Sequence, residues 1–212
     1  MAFSRGDTMN RQLHVLIDTM TLPLESLPHD IHQMALGGAS VIQLRSKSAT
    51  TRELLAYGKV LKDLCRQYQL TFIVNDRLDV AMALEADGVH MGQDDMPVIL
   101  AREMAPTMVI GLSVGSLENI LEAENCPPDY FGLGPVYATS SKNDAGEALG
   151  TVRVAEWVRT AGAIAPVVAI GGINPANVAG VWRSGVQGIA VISAVVHSSD
   201  KKKACTQLLH PL

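Results

Sequence analysis

Two cations and two carboxylates, each next to an apolar run, are the residues of this chain best placed to do chemistry. Arg45 and Lys47 stand in Gln43-Leu44-Arg45-Ser46-Lys47; Asp76 and Asp95 stand in Asn75-Asp76 and in His90-Met91-Gly92-Gln93-Asp94-Asp95. Arginine offers a planar fork to phosphate oxygens and lysine a point charge. Magnesium takes one or two carboxylates, keeps some waters and draws its other ligands from substrate phosphate. Gathered at one rim, the four residues point to a site for a polyphosphate and its divalent metal. Side chains alternate along a strand, so residues 43, 45 and 47 share a face, and polar groups facing a barrel interior need partners. Plainer readings stand beside this one. The cations could be a solvated strand end, Asp76 could cap a helix over 78–85, and Asp95 could cap the helix that Pro97 opens. Adjacent strands that each bring a carboxylate to the same rim favour the metal, because a shared cation removes their mutual repulsion. His90 and Gln93 fit a packed strand and its turn at least as well as a ligand role.

The elements that must position these residues alternate along the chain. Eight short runs, mostly apolar throughout, read as strands: 14–18, 40–44, 71–75, 88–91, 109–113, 130–133, 167–170 and 188–192. Continuous apolarity fits parallel strands covered on both faces. Amphipathic stretches at 51–69, 78–85, 151–160 and 177–184 read as helices, the first with Leu54, Leu55, Gly58, Leu61, Lys62 and Cys65 at three-to-four spacing. This alternation predicts a single α/β domain over 1–212, a (β/α)8 TIM barrel, with 1–10 flexible and 197–212 a C-terminal tail or helix. A doubly wound open sheet is the main rival. It is disfavoured because no Gly-x-Gly-x-x-Gly follows the first strand, and because polar residues recur after nearly every strand rather than at one switch point.

Further rim residues follow from that fold. Gly171-Gly172 after the seventh strand and Ile192-Ser193 after the eighth fall where barrel enzymes often bind a phosphate. A tight turn needing positive φ and a helix N-cap are the alternatives, and both are compatible with phosphate binding. Ser113 ends the fifth strand. Thr139, Ser141 and Lys142 lie in the segment 138–150, the longest irregular stretch, whose length favours a functional loop and whose composition permits a lid. Hydroxyls and a lysine near an anionic leaving group suit stabilisation of developing charge. No Ser/His/Asp or Cys/His nucleophile arrangement with a motif behind it is visible, so nothing demands covalent catalysis.

Composition narrows the classes. The chain has 212 residues, 48% apolar and 18% charged, with a formal net charge of −4. That balance fits a folded domain and argues against a general nucleic-acid binder. Lys201-Lys202-Lys203, the only run of cations, reads as a solvated terminal helix face. Cys65, Cys126 and Cys205 are too scattered for a metal pattern and read as reduced, mostly buried thiols. No apolar run reaches the roughly 18–20 residues of a membrane span, and 1–10 is too polar for a signal peptide, so a cytoplasmic protein is expected. A homo-oligomer would be ordinary for such an enzyme.

Taken in order, these motifs resemble the thiamine phosphate synthase family. The resemblance runs from about His14 to Val195. It is carried by the two clusters above together with Ala86-Asp87-Gly88-Val89, Gly132-Leu133-Gly134-Pro135-Val136-Tyr137, Ile170-Gly171-Gly172-Ile173 and Val191-Ile192-Ser193. The family has the barrel fold. It implies a transferase of thiamine biosynthesis that joins hydroxymethylpyrimidine diphosphate to hydroxyethylthiazole phosphate, uses Mg2+ and releases pyrophosphate. By resemblance, Gln43, Arg45, Lys47 and Asn75 hold the pyrimidine diphosphate and Asp76 and Asp95 ligate Mg2+. Ser113 and Lys142 contact the pyrimidine and its diphosphate; Thr139, Ser141, Gly172, Ile192 and Ser193 hold the thiazole phosphate. Arg45, Lys47, Ser113 and Lys142 would carry the chemistry. A diphosphate on a benzylic-type carbon beside an electron-rich aminopyrimidine can leave before the nucleophile attacks, and that path needs cations and positioning rather than a nucleophilic side chain. The nearest alternatives are the thiazole tautomerase branch of the family and a catalytically silent thiazole phosphate binder. Gly115, standing where that branch typically has His, and the presence of Asp95 argue for the synthase.

Overall fold

The computed structural model describes residues 11–139 and 146–211. Its parallel strands are β1 (Gln12–Ile17), β2 (Val41–Leu44), β3 (Thr71–Asn75), β4 (Gly88–Met91), β5 (Val109–Val114), β6 (Tyr130–Leu133), β7 (Val167–Ile170) and β8 (Gly188–Val191). They close into a barrel in chain order, with β1 paired to both β2 and β8, so no edge is left open. This is the (β/α)8 barrel read from the strand pattern, with strand ends within two residues of those expected.

Outside the barrel lie α1 (Leu27–Leu36), α2 (Thr51–Tyr68), α3 (Leu78–Ala83), α4 (Val98–Met104), α5 (Leu117–Glu122), α6 (Gly150–Ile164), α7 (Val178–Arg183), α8 (Ser193–Val196) and α9 (Lys201–Leu209). The strands' outward side chains join the buried faces of these helices in one large core. A second, smaller cluster of Leu16, Val41, Ile73, Tyr130, Val168 and Ala190 fills the barrel. The longest helix, α2, starts at a capping box. Thr50 Oγ1 accepts from Glu53 N and a Glu53 carboxylate oxygen accepts from Thr50 N, which satisfies two otherwise orphaned donors. It buries Leu54, Tyr57, Gly58, Leu61, Leu64 and Cys65. Lys62, expected on that stripe, instead reaches Glu85 at 2.7 Å. Gln69 ends the helix in the left-handed region at φ 57°.

At the N-terminal end of the barrel one device recurs on every odd strand. The residue just before the next even strand donates its N–H to a carbonyl, and its side chain accepts the N–H of that same residue. Ser40 does this for Leu13, Asp87 for Phe72, Asp129 for Ile110 and Gln187 for Val167, with side-chain bonds of 2.7–3.0 Å. Each clip satisfies an N–H at the ragged start of a strand that would otherwise lack a partner. Asp87, which lies in one of the family-like motifs, therefore serves the barrel's closure at the end away from the site. Asp129 also holds Arg102 at 2.6 Å. Asp129→Ala is expected to lower stability by about 1–3 kcal/mol, as a shifted urea midpoint, with kcat unchanged. A comparable loss of kcat in the folded variant would contradict a purely structural role.

The C-terminal segment is a packed helix. Asp200 caps α9 by accepting from Lys203 N at 2.8 Å, and α9 buries Ala204, Cys205, Leu208 and Leu209 against α1, α8 and β1. Arg11 donates to Leu209 O and lies over the Trp182 ring, whose Nε1 donates to Leu208 O. Lys202 and Lys203 are exposed as expected, but Lys201 pairs with buried Asp30 at 3.2 Å, so the cation run is only partly a solvated face. Cys65 and Cys205 are buried free thiols and Cys126 is half-buried. Residues 1–10, expected to be flexible, lie outside the described residues.

Candidate active site

A cavity of about 620 Å3 opens at the C-terminal end of the strands, and nearly every strand contributes to its wall. Gln43, Arg45 and Lys47 line it from the end of β2, Asn75 and Asp76 from β3, Asp95 from the turn after β4, and Ser113 from β5. Thr139, Gly172, Ile192 and Ser193 line it from the segments after β6, β7 and β8. Ser141 and Lys142 fall outside the described residues. The alternation along β2 holds, with Gln43 buried in the barrel and Lys47 exposed at the rim.

Neither carboxylate is a helix cap. The N-cap of α3 is Arg77 and that of α4 is Pro97, and neither helix has a side-chain capping bond. Asp76 sits one residue beyond β3 in the left-handed region at φ 64°, with its N–H donating to His90 O at 2.8 Å. A non-glycine residue with that φ is uncommon and marks a position held by its surroundings. Asp95 accepts from Gly92 N at 2.6 Å through one oxygen, which closes the turn after β4 on itself. The two acids meet. Burial, then the charge of Asp95 and a hydrogen bond shared with it, push the Asp76 carboxyl up to about 6, against the pull of Arg45 and Lys47. Two acids held against each other in this way make a ready cation site. Among the described residues no group of three or more His, Cys, Asp and Glu comes together. The donor set therefore fits a cation that takes few protein ligands and fills its shell from water and phosphate, as Mg2+ does.

On the opposite side Gly171 and Gly172 turn with φ of 102° and 65°. A Cβ on Gly171 would lie 2.5 Å from Pro135 Cβ, and one on Gly172 2.7 Å from Tyr137 Cβ. Both glycines are thus required by conformation and by space, and Asn177 Nδ2 fixes the turn by donating to Gly172 O at 2.9 Å. Ser193 is the first residue of α8, whose N-cap position is held by Ile192, so the alternative of a serine cap is not what the structure has.

The floor of the cavity contains residues that sequence reasoning passed over. Registers place Asn75 beside His90, His90 beside Gly111, and Gly111 beside Tyr130. With no side chain on Gly111, the two flanking rings close over it. His90 Nδ1 lies 2.9 Å from Tyr130 Oη, and His90 Nε2 lies 2.8 Å from Ser113 Oγ. His14, 1% exposed, meets the Tyr130 ring edge-on at 5.4 Å. Burial and the neighbouring His90 push the His14 imidazole down to about 3, so it stays neutral at ordinary pH. Among the described residues no buried side-chain nitrogen or oxygen lacks a hydrogen-bond partner.

Comparisons with known proteins bear on the family and the fold. The family model described as thiamine monophosphate synthase matches residues 13–195. The thiamine-phosphate synthase of Pyrococcus furiosus is 46% identical over 200 residues, 93% of this chain and 92% of that protein. The thiamine-phosphate synthase of Methanospirillum hungatei is 46% identical over 193 residues, 91% and 93% of the two chains. A solved structure of thiamine phosphate pyrophosphorylase from Pyrococcus furiosus superposes with a TM-score of 0.84 at 43% identity, covering 95% of each chain.

Proposed function

The chain belongs to the thiamine monophosphate synthase family, and we propose that its cavity joins a pyrimidine methyl diphosphate to a thiazole phosphate as a Mg2+-dependent thiamine-phosphate synthase. It is a transferase with small-molecule substrates, and no helix among the described residues is long and apolar enough to cross a membrane. The observation that carries the site assignment is the pairing of Asp76 with Asp95 under the influence of Arg45 and Lys47 in one cavity. That is the charge pattern a metal diphosphate requires.

In this reading Asp76 and Asp95 would hold Mg2+, which when bound neutralises charge on the diphosphate. Arg45, Lys47 and Lys142 take up the remaining negative charge, and Gln43 and Asn75 hold the pyrimidine half in register with them. Ser113 presents its hydroxyl to the aminopyrimidine. The bond between the pyrimidine methylene and the diphosphate oxygen breaks, and the electron pair leaves with the diphosphate. The thiazole nitrogen then forms the new carbon–nitrogen bond. Thr139, Ser141, Gly172, Ile192 and Ser193 hold the thiazole phosphate in line for that attack. No side chain acts as a nucleophile, and the electron-rich aminopyrimidine bears the positive charge between the two events. The neutral His14 beneath the site is consistent with this, since a cationic imidazole there would oppose that charge.

The test is product formation by the purified protein from the two substrates, with and without Mg2+. Thiamine phosphate and pyrophosphate in equal amounts, only with the metal, are expected. Binding of thiazole phosphate without product would favour the tautomerase or silent-binder reading and leave the paired carboxylates without a metal role.

A further inference from the structure

Ser113 is held on two sides by the segment that also carries Asp95, one of the paired carboxylates. His90 Nε2 meets its hydroxyl at 2.8 Å, and Gln93 Nε2 donates to its carbonyl at 2.5 Å. The backbone carbonyl of the same His90 accepts from Asp76 N. One residue therefore touches both halves of the site, the metal half through its backbone and the pyrimidine half through its ring. From behind, the ring is fixed by Tyr130 Oη at Nδ1.

The barrel is built to admit this ring pair. A Cβ on Gly111 would fall 2.5 Å from His90 Nδ1 and would overlap the Tyr130 ring, and one on Gly132 would fall 2.7 Å from His90 Cε1. Two inward positions on neighbouring strands are thus bare where the rings lie. A packed apolar floor would need neither bare position.

We propose that His90, oriented by Tyr130, is a positioning residue that aims the Ser113 hydroxyl at the pyrimidine ring. This rests on the proposed role of Ser113 and adds to it the device that makes that role directional. Each ring nitrogen faces a hydroxyl that can donate or accept, so the tautomer that the imidazole adopts decides whether the serine oxygen is given a proton or gives one. That choice leaves the hydroxyl with either a hydrogen or a lone pair to offer the ligand, whose ring nitrogens accept and whose amino group donates. A free serine rotor would lose this discrimination.

The experiment is a double-mutant cycle read as separate kcat and KM values for the two substrates. Ser113→Ala tests the underlying reading and should lower kcat/KM for the pyrimidine diphosphate about tenfold or more. His90→Asn keeps a polar atom near the Nδ1 position but withdraws the one facing Ser113, and should give a similar loss. His90→Gln reaches the Nε2 position and should recover most of the activity. The double variant Ser113→Ala with His90→Asn should be no worse than the poorer single variant, and the thiazole phosphate KM should stay within about twofold in all of them. Tyr130→Phe, which removes only the hydroxyl, guards against a His90 variant that fails to fold and should show several-fold loss in the same parameter. If Ser113→Ala is fully active, the role of Ser113 falls and the inference with it. If Ser113→Ala is impaired but Tyr130→Phe and His90→Asn are not, the role of Ser113 stands and the inference is overturned. Additive losses, or equal losses in the Asn and Gln variants, also overturn it.

Discussion

Replacing Asp95 with alanine is expected to lower kcat by two orders of magnitude or more while changing the melting temperature by only a few degrees. The first figure follows from charge. Losing one of two metal carboxylates weakens both Mg2+ binding and neutralisation of the leaving diphosphate, effects worth several kcal/mol in a metal-assisted transition state. Each 1.36 kcal/mol is about a factor of ten in rate. The second figure follows from what Asp95 does for the fold. Its carboxylate accepts from Gly92 N at 2.6 Å, at the cavity's edge, and it caps no helix, so its removal costs about 1 kcal/mol. Steady-state rates across a Mg2+ titration, with a thermal melt of the same protein, separate the two. Asp95→Asn keeps an acceptor for Gly92 N and should recover the melting temperature but not the rate. Full activity per folded molecule in either variant would remove Asp95 from the metal site.

What the sequence made legible follows its local physics. The strands were readable because they are covered on both faces and so are apolar throughout, and the polar residues that interrupt them at their C-terminal ends sit where a barrel gathers its ligands. Helix α2 was readable because its stripe is long and its capping box is written in Thr50 and Glu53. Pro97 marks the start of α4, but α5 and α1 show less: α5 has Ile120 as its one fully buried residue, and α1, with Leu27, Ile31 and Met34 on its buried face, carries a proline in its first turn. The alternative of caps at Asp76 and Asp95 could not be rejected from sequence, since a cap and a ligand use the same residue types. Only backbone geometry separates them, in the left-handed φ of Asp76 and the bond from Gly92 to Asp95. The ring floor was hidden for a different reason. His14, His90 and Tyr130 meet through interstrand register, which no single strand encodes. The available signal was Gly111, two residues before Ser113 on the same face of β5, and its meaning depends on what flanks it.

Asp76→Asn is expected to abolish most activity and yet raise the stability of the metal-free protein above about pH 6. In the fold, burial and Asp95 lift the Asp76 carboxyl from 3.8 to about 6. The folded state therefore holds this proton more tightly than the unfolded chain does. Its stabilising contribution is fully present below the unfolded value and is lost as pH rises through the folded one. Near pH 7.5 the metal-free wild type must keep two carboxylates side by side, and asparagine removes one of those charges. Asp76 is only half-buried, so solvent screening reduces the gain to on the order of 1 kcal/mol. Asparagine also tolerates the left-handed backbone at φ 64°, a benefit that does not depend on pH. Melting curves from pH 4 to 8 distinguish the two contributions. The variant's advantage should grow between about pH 4 and pH 7, and saturating Mg2+ should erase the growing part by stabilising the wild type alone. An advantage that is flat with pH and indifferent to Mg2+ would leave only the backbone contribution, and the paired carboxylates would no longer account for the cost of this site.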